Sequence, residues 1–179
     1  MCSAAAEPSQ RLFFALWPDA AVRDAIERFS RRRIRKQAKR VLAGNLHITL
    51  AFAGPVTATV RACLEAGADD ISAKPFSLRL DTVGYWPRPR ILWIGSGETP
   101  SAAWNLLRSL RAVFVACDLP ADMRPWQAHV TLARKAGRAL EVRKIAPLDW
   151  SIRDFCLVES VTEESGARYR ILRRWPLVG

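Results

Sequence analysis

Histidine is scarce in this chain, which has two among its 179 residues. Both begin a His-x-Thr-Leu pattern, as His47-Ile48-Thr49-Leu50 and His129-Val130-Thr131-Leu132. With 7 Thr and 19 Leu in the chain, a given His would be followed by x-Thr-Leu by chance about 0.4% of the time. Both would be so followed with a probability on the order of 10⁻⁵. The duplication indicates one active site assembled from two similar halves.

Several common catalytic and binding patterns are missing. No Gly-x-x-x-x-Gly-Lys loop occurs, which argues against ATP use, and no Gly-x-Ser-x-Gly turn or cysteine triad provides a nucleophile. Two histidines are too few for a three-histidine zinc site, and no His-Glu-x-x-His pattern is present. We therefore expect neither a metal nor a cofactor. Asp or Cys ligands from elsewhere stay open as an alternative that no spacing favours.

The four cysteines, Cys2, Cys63, Cys117 and Cys156, are scattered and form no Cys-x-x-Cys pair. The first residues lack the basic and apolar regions of a secretion signal. No apolar run approaches the roughly 18 residues needed to span a bilayer. We expect a soluble, cytoplasmic, monomeric protein without a membrane partner, whose reduced cysteines pack as small apolar residues.

The chain is strongly basic, with a net charge of +11 and a pI near 10.5. This charge predicts an anionic partner, with nucleic acid as the first candidate. Seven of the cations lie within the ten residues from Arg31 to Arg40. Such a cluster fits a solvated helix end, where cations offset the negative end of the helix dipole, or a rim that attracts phosphate. The sequence does not decide between the two.

Asn45 to Phe52 alternates strictly, with large apolar residues at even positions and Asn, His, Thr and Ala at odd ones. A period of two predicts a strand that buries its even face and projects His47 and Thr49 together from the other. Gly54-Pro55 is predicted to end this strand. The second motif shows the same alternation. The polar couple of each motif should therefore stand on one face of its strand.

The order apolar strand, helix, His-x-Thr-Leu strand occurs twice, over 12–52 and 91–132. We expect an α+β fold with two pseudo-symmetric lobes of antiparallel sheet, outer helices and one cleft between the lobes. The two motif strands would face each other across that cleft, and 1–179 would form a single domain. Hairpins are predicted over 76–94 and 152–175, and a short helix around 140–145.

Two histidines can share acid and base duty near neutral pH, which one cannot do alone. For a single motif, a packed or surface histidine would be the ordinary explanation, but a duplicated polar couple that uses every histidine favours catalysis. Opening a phosphodiester needs a base, an acid and donors for the charged oxygens. The threonines lie about 6.6 Å along the strand from each imidazole, which suits them to hold a phosphate.

The chain resembles the 2H phosphoesterase superfamily, and within it the bacterial and archaeal RNA 2′,3′-cyclic phosphodiesterases, also called 2′-5′ RNA ligases. The resemblance covers nearly the whole chain, and the paired His-x-Thr-Leu (HxTx) motifs in this order are highly specific. The flanking matches are Arg11-Leu12-Phe13-Phe14-Ala15-Leu16, Asn45 to Gly54, Pro87-Arg88-Pro89-Arg90-Ile91-Leu92-Trp93, His129 to Arg134, Leu157-Val158-Glu159-Ser160, Tyr169-Arg170-Ile171-Leu172 and Trp175-Pro176-Leu177.

The resemblance implies metal-free hydrolysis of RNA 2′,3′-cyclic phosphate ends to 2′-phosphomonoesters and, by reversibility, 2′-5′ ligation. It makes His47 the proton donor to the leaving 3′ oxygen and His129 the proton acceptor that activates water. Thr49 and Thr131 would hold the phosphate together with Arg134. The implied site is nearly symmetric, and the acid and the base exchange roles in the reverse direction.

Strand parity alone turns Arg134 away from Thr131. The implied phosphate contact therefore requires the strand to end or bulge near Ala133, and an ordinary surface cation is the alternative. The chain departs from the family where an aromatic-His-Pro lead is usual, because it has Trp126-Gln127-Ala128 there. Trp86 and Trp126 could stack on a base or simply pack.

Two rival functions stay open: an RNA-binding module with little turnover, and a 2H phosphodiesterase that acts on another cyclic or 2′-5′ phosphoester. Phosphorus NMR of the products separates the first from the main hypothesis, and a substrate panel separates the second.

Overall fold

The computed structural model describes residues 9–34, 38–136, 142–164 and 166–178. Its helices are α1 (Ala20–Arg33), α2 (Ala58–Asp69) and α3 (Ser101–Ala116), with a 3₁₀ turn at Ala43–Asn45. Its strands are β1 (Gln10–Leu16), β2 (Lys39–Arg40), β3 (Ile48–Val56), β4 (Phe76–Trp86), β5 (Ile91–Ser96), β6 (His129–Arg134), β7 (Arg143–Ile152), β8 (Asp154–Glu163) and β9 (Gly166–Pro176). None of the helices in these ranges is long and apolar enough to cross a membrane.

The described strands form one antiparallel sheet in the order β7-β4-β5-β6-β3-β1-β8-β9, and β2 pairs with β6 beside it. The sheet has two four-stranded halves that meet where β3 pairs with β6 through Ile48 and Val130. The predicted α+β fold with two antiparallel halves is confirmed. One detail was wrong: the motif strands lie side by side at this seam and do not face each other from opposite walls.

Alternating side chains divide the sheet into two faces. In β1, Leu12, Phe14 and Leu16 belong to the main hydrophobic core, whereas Phe13 and Ala15 join a smaller cluster. All three helices contribute buried residues to the main core. The period-two pattern of the motif strands thus buries Ile48, Leu50, Val130 and Leu132 in this core.

The burial predicted for Phe52 was wrong, because its side chain is 49% exposed. One extra residue of β3 lies between Thr49 and Ala51 in the pairing with β1, and this bulge turns Phe52 to the face of Phe13.

Two of the helices pack against the half of the sheet that does not contain the strand before them. Helix α1 follows β1 but contacts β7 of the other half, and α3 follows β5 but contacts β3. Each half therefore buries apolar surface against a helix of the other, which favours one cooperative unit. That 1–179 is a single domain stays a prediction.

Two local predictions were wrong. The helix expected around 140–145 is strand β7 from Arg143 onward, paired along β4, while Leu140 and Glu141 lie outside the described residues. Gly54 and Pro55 do not end β3, because a bulge at this point lets the strand continue beside β1. Gly54 has a φ of 77°, which a glycine adopts without steric cost.

The cysteines also differ from the prediction. Cys63 in α2 and Cys117 at the end of α3 form a disulfide, so the expectation of reduced cysteines was wrong for this pair. Cys156 is free and buried, and burial raises the pKa of its thiol to about 12. It packs as a small apolar residue, as expected. Cys2 lies outside the described residues.

Gly84 on β4 lies opposite Trp93 on β5, and a β carbon at this position would overlap the indole ring. We predict that Gly84→Ala lowers the free energy of unfolding by about 1–3 kcal/mol, because the buried ring must move. Urea denaturation measures the change. Gly44→Ala is the matched control, since a β carbon there meets nothing within 4 Å. Equal stability of the two variants would contradict the prediction.

Candidate active site

A cavity of about 510 Å³ lies at the seam between the halves. It is lined by all five residues that the sequence predicts for the site: His47, Thr49, His129, Thr131 and Arg134. The structure therefore brings together two motifs that are separated by some eighty residues of chain. Arg11, Phe13, Phe52, Ile91, Ser160, Thr162, Ala167 and Tyr169 line the rest of the cavity.

The seam pairing determines how the four motif side chains are arranged. Ile48 pairs with Val130 in an antiparallel register. One residue forward on one strand corresponds to one residue back on the other, so His47 stands across from Thr131 and Thr49 across from His129. Each imidazole is therefore flanked by a hydroxyl on its own strand and a hydroxyl on the other strand.

The two imidazoles are held in the same way. His47 Nδ1 lies 2.7 Å from the carbonyl oxygen of Asn45, and His129 Nδ1 lies 2.8 Å from that of Gln127. A carbonyl oxygen only accepts, so Nδ1 carries the proton and donates in both rings. This leaves Nε2 of each neutral ring with a lone pair. Both histidines can then take a proton at Nε2 or, once protonated, give one from it.

The surroundings of the two rings differ. His47 stacks on Trp17 at 5.3 Å between ring centroids, and Phe13 and Tyr169 lie at 5.0 and 5.1 Å. Its Nε2 also lies 3.1 Å from the Thr49 hydroxyl oxygen. His129 instead forms T-shaped pairs with Trp86 and Trp93, with ring centroids 4.5 and 6.4 Å away. The site has a symmetric backbone frame with an asymmetric aromatic wall.

The same fold and sequence pattern occur in known proteins. The family model of the 2′-5′ RNA ligase superfamily matches residues 17–164. The chain belongs to this superfamily.

Among its relatives, the RNA 2′,3′-cyclic phosphodiesterase of Escherichia coli is 35% identical over 171 residues, which cover 94% of this chain and 97% of that protein. The crystal structure of E. coli LigT in apo form matches with a TM-score of 0.87 and 32% identity, covering 97% of this chain and 100% of that chain. LigT complexed with 3′-AMP matches with a TM-score of 0.86 and 32% identity, over 96% of this chain and 99% of that one.

Arg134 reaches the cavity because β6 bulges. Leu92 of β5 pairs with Ala133, but the next residue, Trp93, pairs with Thr131, so one extra residue of β6 lies between the two pairs. This is the irregularity that strand parity requires for Arg134 to share a face with Thr131. Its role in holding phosphate stays a prediction for this member of the superfamily.

The basic cluster of residues 31–40 lies partly at a helix end and partly near the cavity, so each of the two predicted locations holds for part of it. Arg31 and its two neighbours form the last turn of α1, where Arg31 pairs with Glu27. Lys39 and Arg40 form β2, in which Lys39 lies directly opposite Arg134. The second part of the cluster therefore borders the cavity. Residues 35–37 lie outside the described residues.

Both histidines are neutral at pH 7 in the free protein. Burial is the main cause that lowers the pKa of His47 from 6.5 to about 4, and it also lowers the pKa of His129. The hydrogen bonds to the backbone carbonyls act in the opposite direction, and the positive charge of Arg134 lowers both pKa values further. A bound anion would favour the imidazolium form and raise both values.

No sequence pattern predicted the aromatic residues around His47. Phe13 and Trp17 lie in an apolar segment without alternating polar residues, so its pattern does not show which side chains face the cavity. Tyr169 comes from a distant hairpin. Trp86 does contact a catalytic candidate, because it forms a T-shaped pair with His129. Trp126 packs against the main core, and its indole N–H donates to the Thr49 carbonyl oxygen at 2.9 Å.

Within the described ranges, no group of three or more His, Cys, Asp or Glu side chains is placed to hold a metal ion. The cavity instead offers two imidazoles, two hydroxyls and a guanidinium to a ligand. These groups can donate several hydrogen bonds to an anion.

We predict that the pH optimum of kcat lies above that of kcat/KM. The profile of kcat/KM reports the free enzyme, in which both histidine pKa values are lowered, whereas kcat reports the complex, in which the substrate anion raises them. Steady-state rates on a 2′,3′-cyclic nucleotide, taken between about pH 4 and about pH 9, give the pH profiles of kcat and of kcat/KM. Arg134→Gln should move the kcat/KM optimum upward, since it removes a charge that disfavours both imidazolium ions. Coincident optima would contradict the prediction.

Proposed function

We propose that this protein hydrolyses RNA 2′,3′-cyclic phosphate ends to 2′-phosphomonoesters, with His47 as the acid and His129 as the base. The observation that carries the proposal is the pair of imidazoles in one cavity, each with Nδ1 bound to a backbone carbonyl and Nε2 left for proton transfer. The relatives named RNA 2′,3′-cyclic phosphodiesterase support the substrate class. The neutral donors and the guanidinium suit a phosphodiester anion.

The reaction needs one proton to be removed and one to be supplied. His129 Nε2 takes a proton from water as the water oxygen attacks phosphorus. The bond from phosphorus to the 3′ oxygen breaks, and protonated His47 gives its Nε2 proton to that oxygen. The products are a 2′-phosphomonoester and a free 3′ hydroxyl. In the reverse direction the roles exchange, and a 5′ hydroxyl in place of water would give a 2′-5′ linkage.

The remaining groups hold the non-bridging oxygens. The Thr49 and Thr131 hydroxyls stand on opposite sides of the seam, one from each motif, and can each donate to one oxygen. Arg134 adds a fixed positive charge from the β6 bulge. Charge that grows on these oxygens in the transition state meets donors that are already in place, which is a large source of rate enhancement.

We predict that His47→Ala and His129→Ala each lower kcat by roughly 10²–10⁴, because each removes one proton-transfer partner. The assay is the hydrolysis of a short RNA that ends in a 2′,3′-cyclic phosphate, followed by phosphorus NMR in the presence of EDTA. Thermal melting of each variant controls for folding.

The outcomes of this assay separate the alternatives. Turnover near the wild-type rate in either variant would remove that histidine from the mechanism. Loss of wild-type activity in EDTA would support a metal site. Tight RNA binding with unchanged cyclic phosphate would identify a binding module, and a preference for another phosphoester in a substrate panel would identify a different 2H activity.

We predict that a substrate with sulfur in place of the 3′ oxygen rescues His47→Ala but not His129→Ala. A thiol has a pKa near about 8.5, so a thiolate leaves without the proton that an alkoxide needs. Removal of the acid should therefore cost much less with the sulfur substrate, while removal of the base should cost the same. Rescue of His129→Ala alone would reverse the two assignments.

We also propose that RNA is the physiological partner and that the protein is a cytoplasmic monomer. The basic charge and the superfamily support the first point. The Cys63–Cys117 disulfide is an observation against a reducing compartment, because stable disulfides are rare in the cytosol. Cell fractionation and sedimentation measure the compartment and the oligomeric state.

A further inference from the structure

The residue two positions before each histidine carries a side-chain amide. It is Asn45 in the first motif and Gln127 in the second. The main-chain carbonyl of each residue accepts the Nδ1 proton of its histidine, at 2.7 and 2.8 Å. The two carbonyls that set the tautomers of the rings thus belong to the same kind of residue.

Both side-chain amides are themselves anchored to another strand. Gln127 Nε2 donates to the carbonyl oxygen of Ser96, the last residue of β5, at 2.8 Å. Asn45 Nδ2 donates to the carbonyl oxygen of Ala167 in β9, also at 2.8 Å. A carbonyl only accepts, so the NH₂ group of each amide faces it. Each amide therefore links the residue that holds a catalytic ring to a strand outside its own motif.

The two residues lie where regular strand structure does not hold them. Asn45 ends the 3₁₀ turn before β3, and Gln127 comes before β6 begins at His129. Next to Gln127, the Ser96 N–H donates to the Ala128 carbonyl oxygen at 3.1 Å. The Gln127 side chain thus extends the contact between β5 and the second motif by one further hydrogen bond.

The position of each carbonyl matters because it selects the tautomer. A neutral ring that loses its Nδ1 bond can carry its proton on either nitrogen, and the form with the proton on Nε2 has no lone pair there. The carbonyl bond also raises the pKa of each ring against the effect of burial. Loss of this bond would therefore leave less of the base able to accept a proton and less of the acid able to give one.

We propose that Asn45 and Gln127 are positioning residues, whose side-chain amides fix the carbonyls that orient His47 and His129 for proton transfer. The kinetic consequences rest on the proposed function, whereas the effect on the rings can be measured without turnover. Each amide acts through its ring and not on the substrate.

The first test observes the rings directly. Protein without a histidine tag has two imidazoles, so long-range proton–nitrogen correlation spectra contain two sets of ring signals, which His47→Ala and His129→Ala assign. We expect a protonated Nδ1 and an unprotonated Nε2 in both rings of the wild type at neutral pH. Gln127→Met, which removes the N–H donor, should move the nitrogen shifts of His129 towards the average of the two tautomers and leave His47 unchanged. Asn45→Leu should do the reverse.

The second test measures the hydrolysis of adenosine 2′,3′-cyclic phosphate. Gln127→Met and Asn45→Leu should each lower kcat about tenfold, the effect of one charge-assisted hydrogen bond, and change KM less than about twofold. One limb of the pH profile of kcat/KM should move to lower pH in each variant, because the lost bond no longer favours the imidazolium ion. The other charged or titratable side chains that line the cavity, Arg11, Arg134 and Tyr169, are the same in all variants.

The substrate with sulfur in place of the 3′ oxygen links each amide to its ring. Asn45→Leu should respond to sulfur as His47→Ala does, and Gln127→Met should respond as His129→Ala does. A variant that is merely less stable would not copy the response of one histidine. Gln127→Ala and Asn45→Ala replace either variant if it does not fold.

Gln10→Met and Asn105→Leu are the matched controls. Their amides also form hydrogen bonds, with Glu159 and Arg108, but do not line the cavity. Both controls should keep the ring signals and the rates of the wild type.

The possible outcomes separate the positioning role from the proposed function. Ring signals that stay as in the wild type, signals that change equally in both rings, or a sulfur response that follows the other histidine would overturn the role of that amide. The expected ring signals in a wild-type protein that does not hydrolyse the cyclic nucleotide would support the amide links and count against the proposed function.

Discussion

The candidate active site depends on the single pairing of Ile48 with Val130 at the seam of the sheet. Both side chains are fully buried in the main core, so apolar burial of about 1.5–3 kcal/mol for each favours this register. A slip of either motif strand by one residue would turn its imidazole into the core and its apolar side chains into the cleft. The hydrophobic face of the motif thus sets the geometry of its polar face.

The two halves share a backbone frame but not an environment. In each, a carbonyl two residues before the histidine fixes the tautomer, so the frame treats both rings alike. The three aromatic rings around His47 and the two indole rings of Trp86 and Trp93 near His129 break this symmetry. An active site that must give a proton on one side and take one on the other needs such a difference. Since burial disfavours both imidazolium ions, the charge of the substrate itself supplies part of the driving force for protonation of the acid.

Much of the fold followed from local patterns in the sequence, because alternation over 45–52 and turn signals near 87–90 reflect short-range physics. The site residues followed from the duplicated motif, and their roles from the family resemblance. What the sequence could not provide depends on contacts between distant segments. Strand β7 forms because β4 offers it an edge, and the β6 bulge arises from its register with β5. The Cys63–Cys117 pair depends on how α2 packs on α3, which no local spacing encodes.

Part of the excess positive charge lies at the cleft. On the side of the sheet formed by β8 and β9, Arg170 and Arg173 are paired with Glu159 and Asp69 and add little net field. The cations that line or border the cavity are Arg11, Lys39, Arg40 and Arg134. None of these forms an ion pair with a carboxylate among the described residues. An anionic chain end therefore meets positive charge that no carboxylate offsets where the two motifs converge. Because low-dielectric walls focus such a field, the cations can raise the rate of substrate capture without taking part in proton transfer.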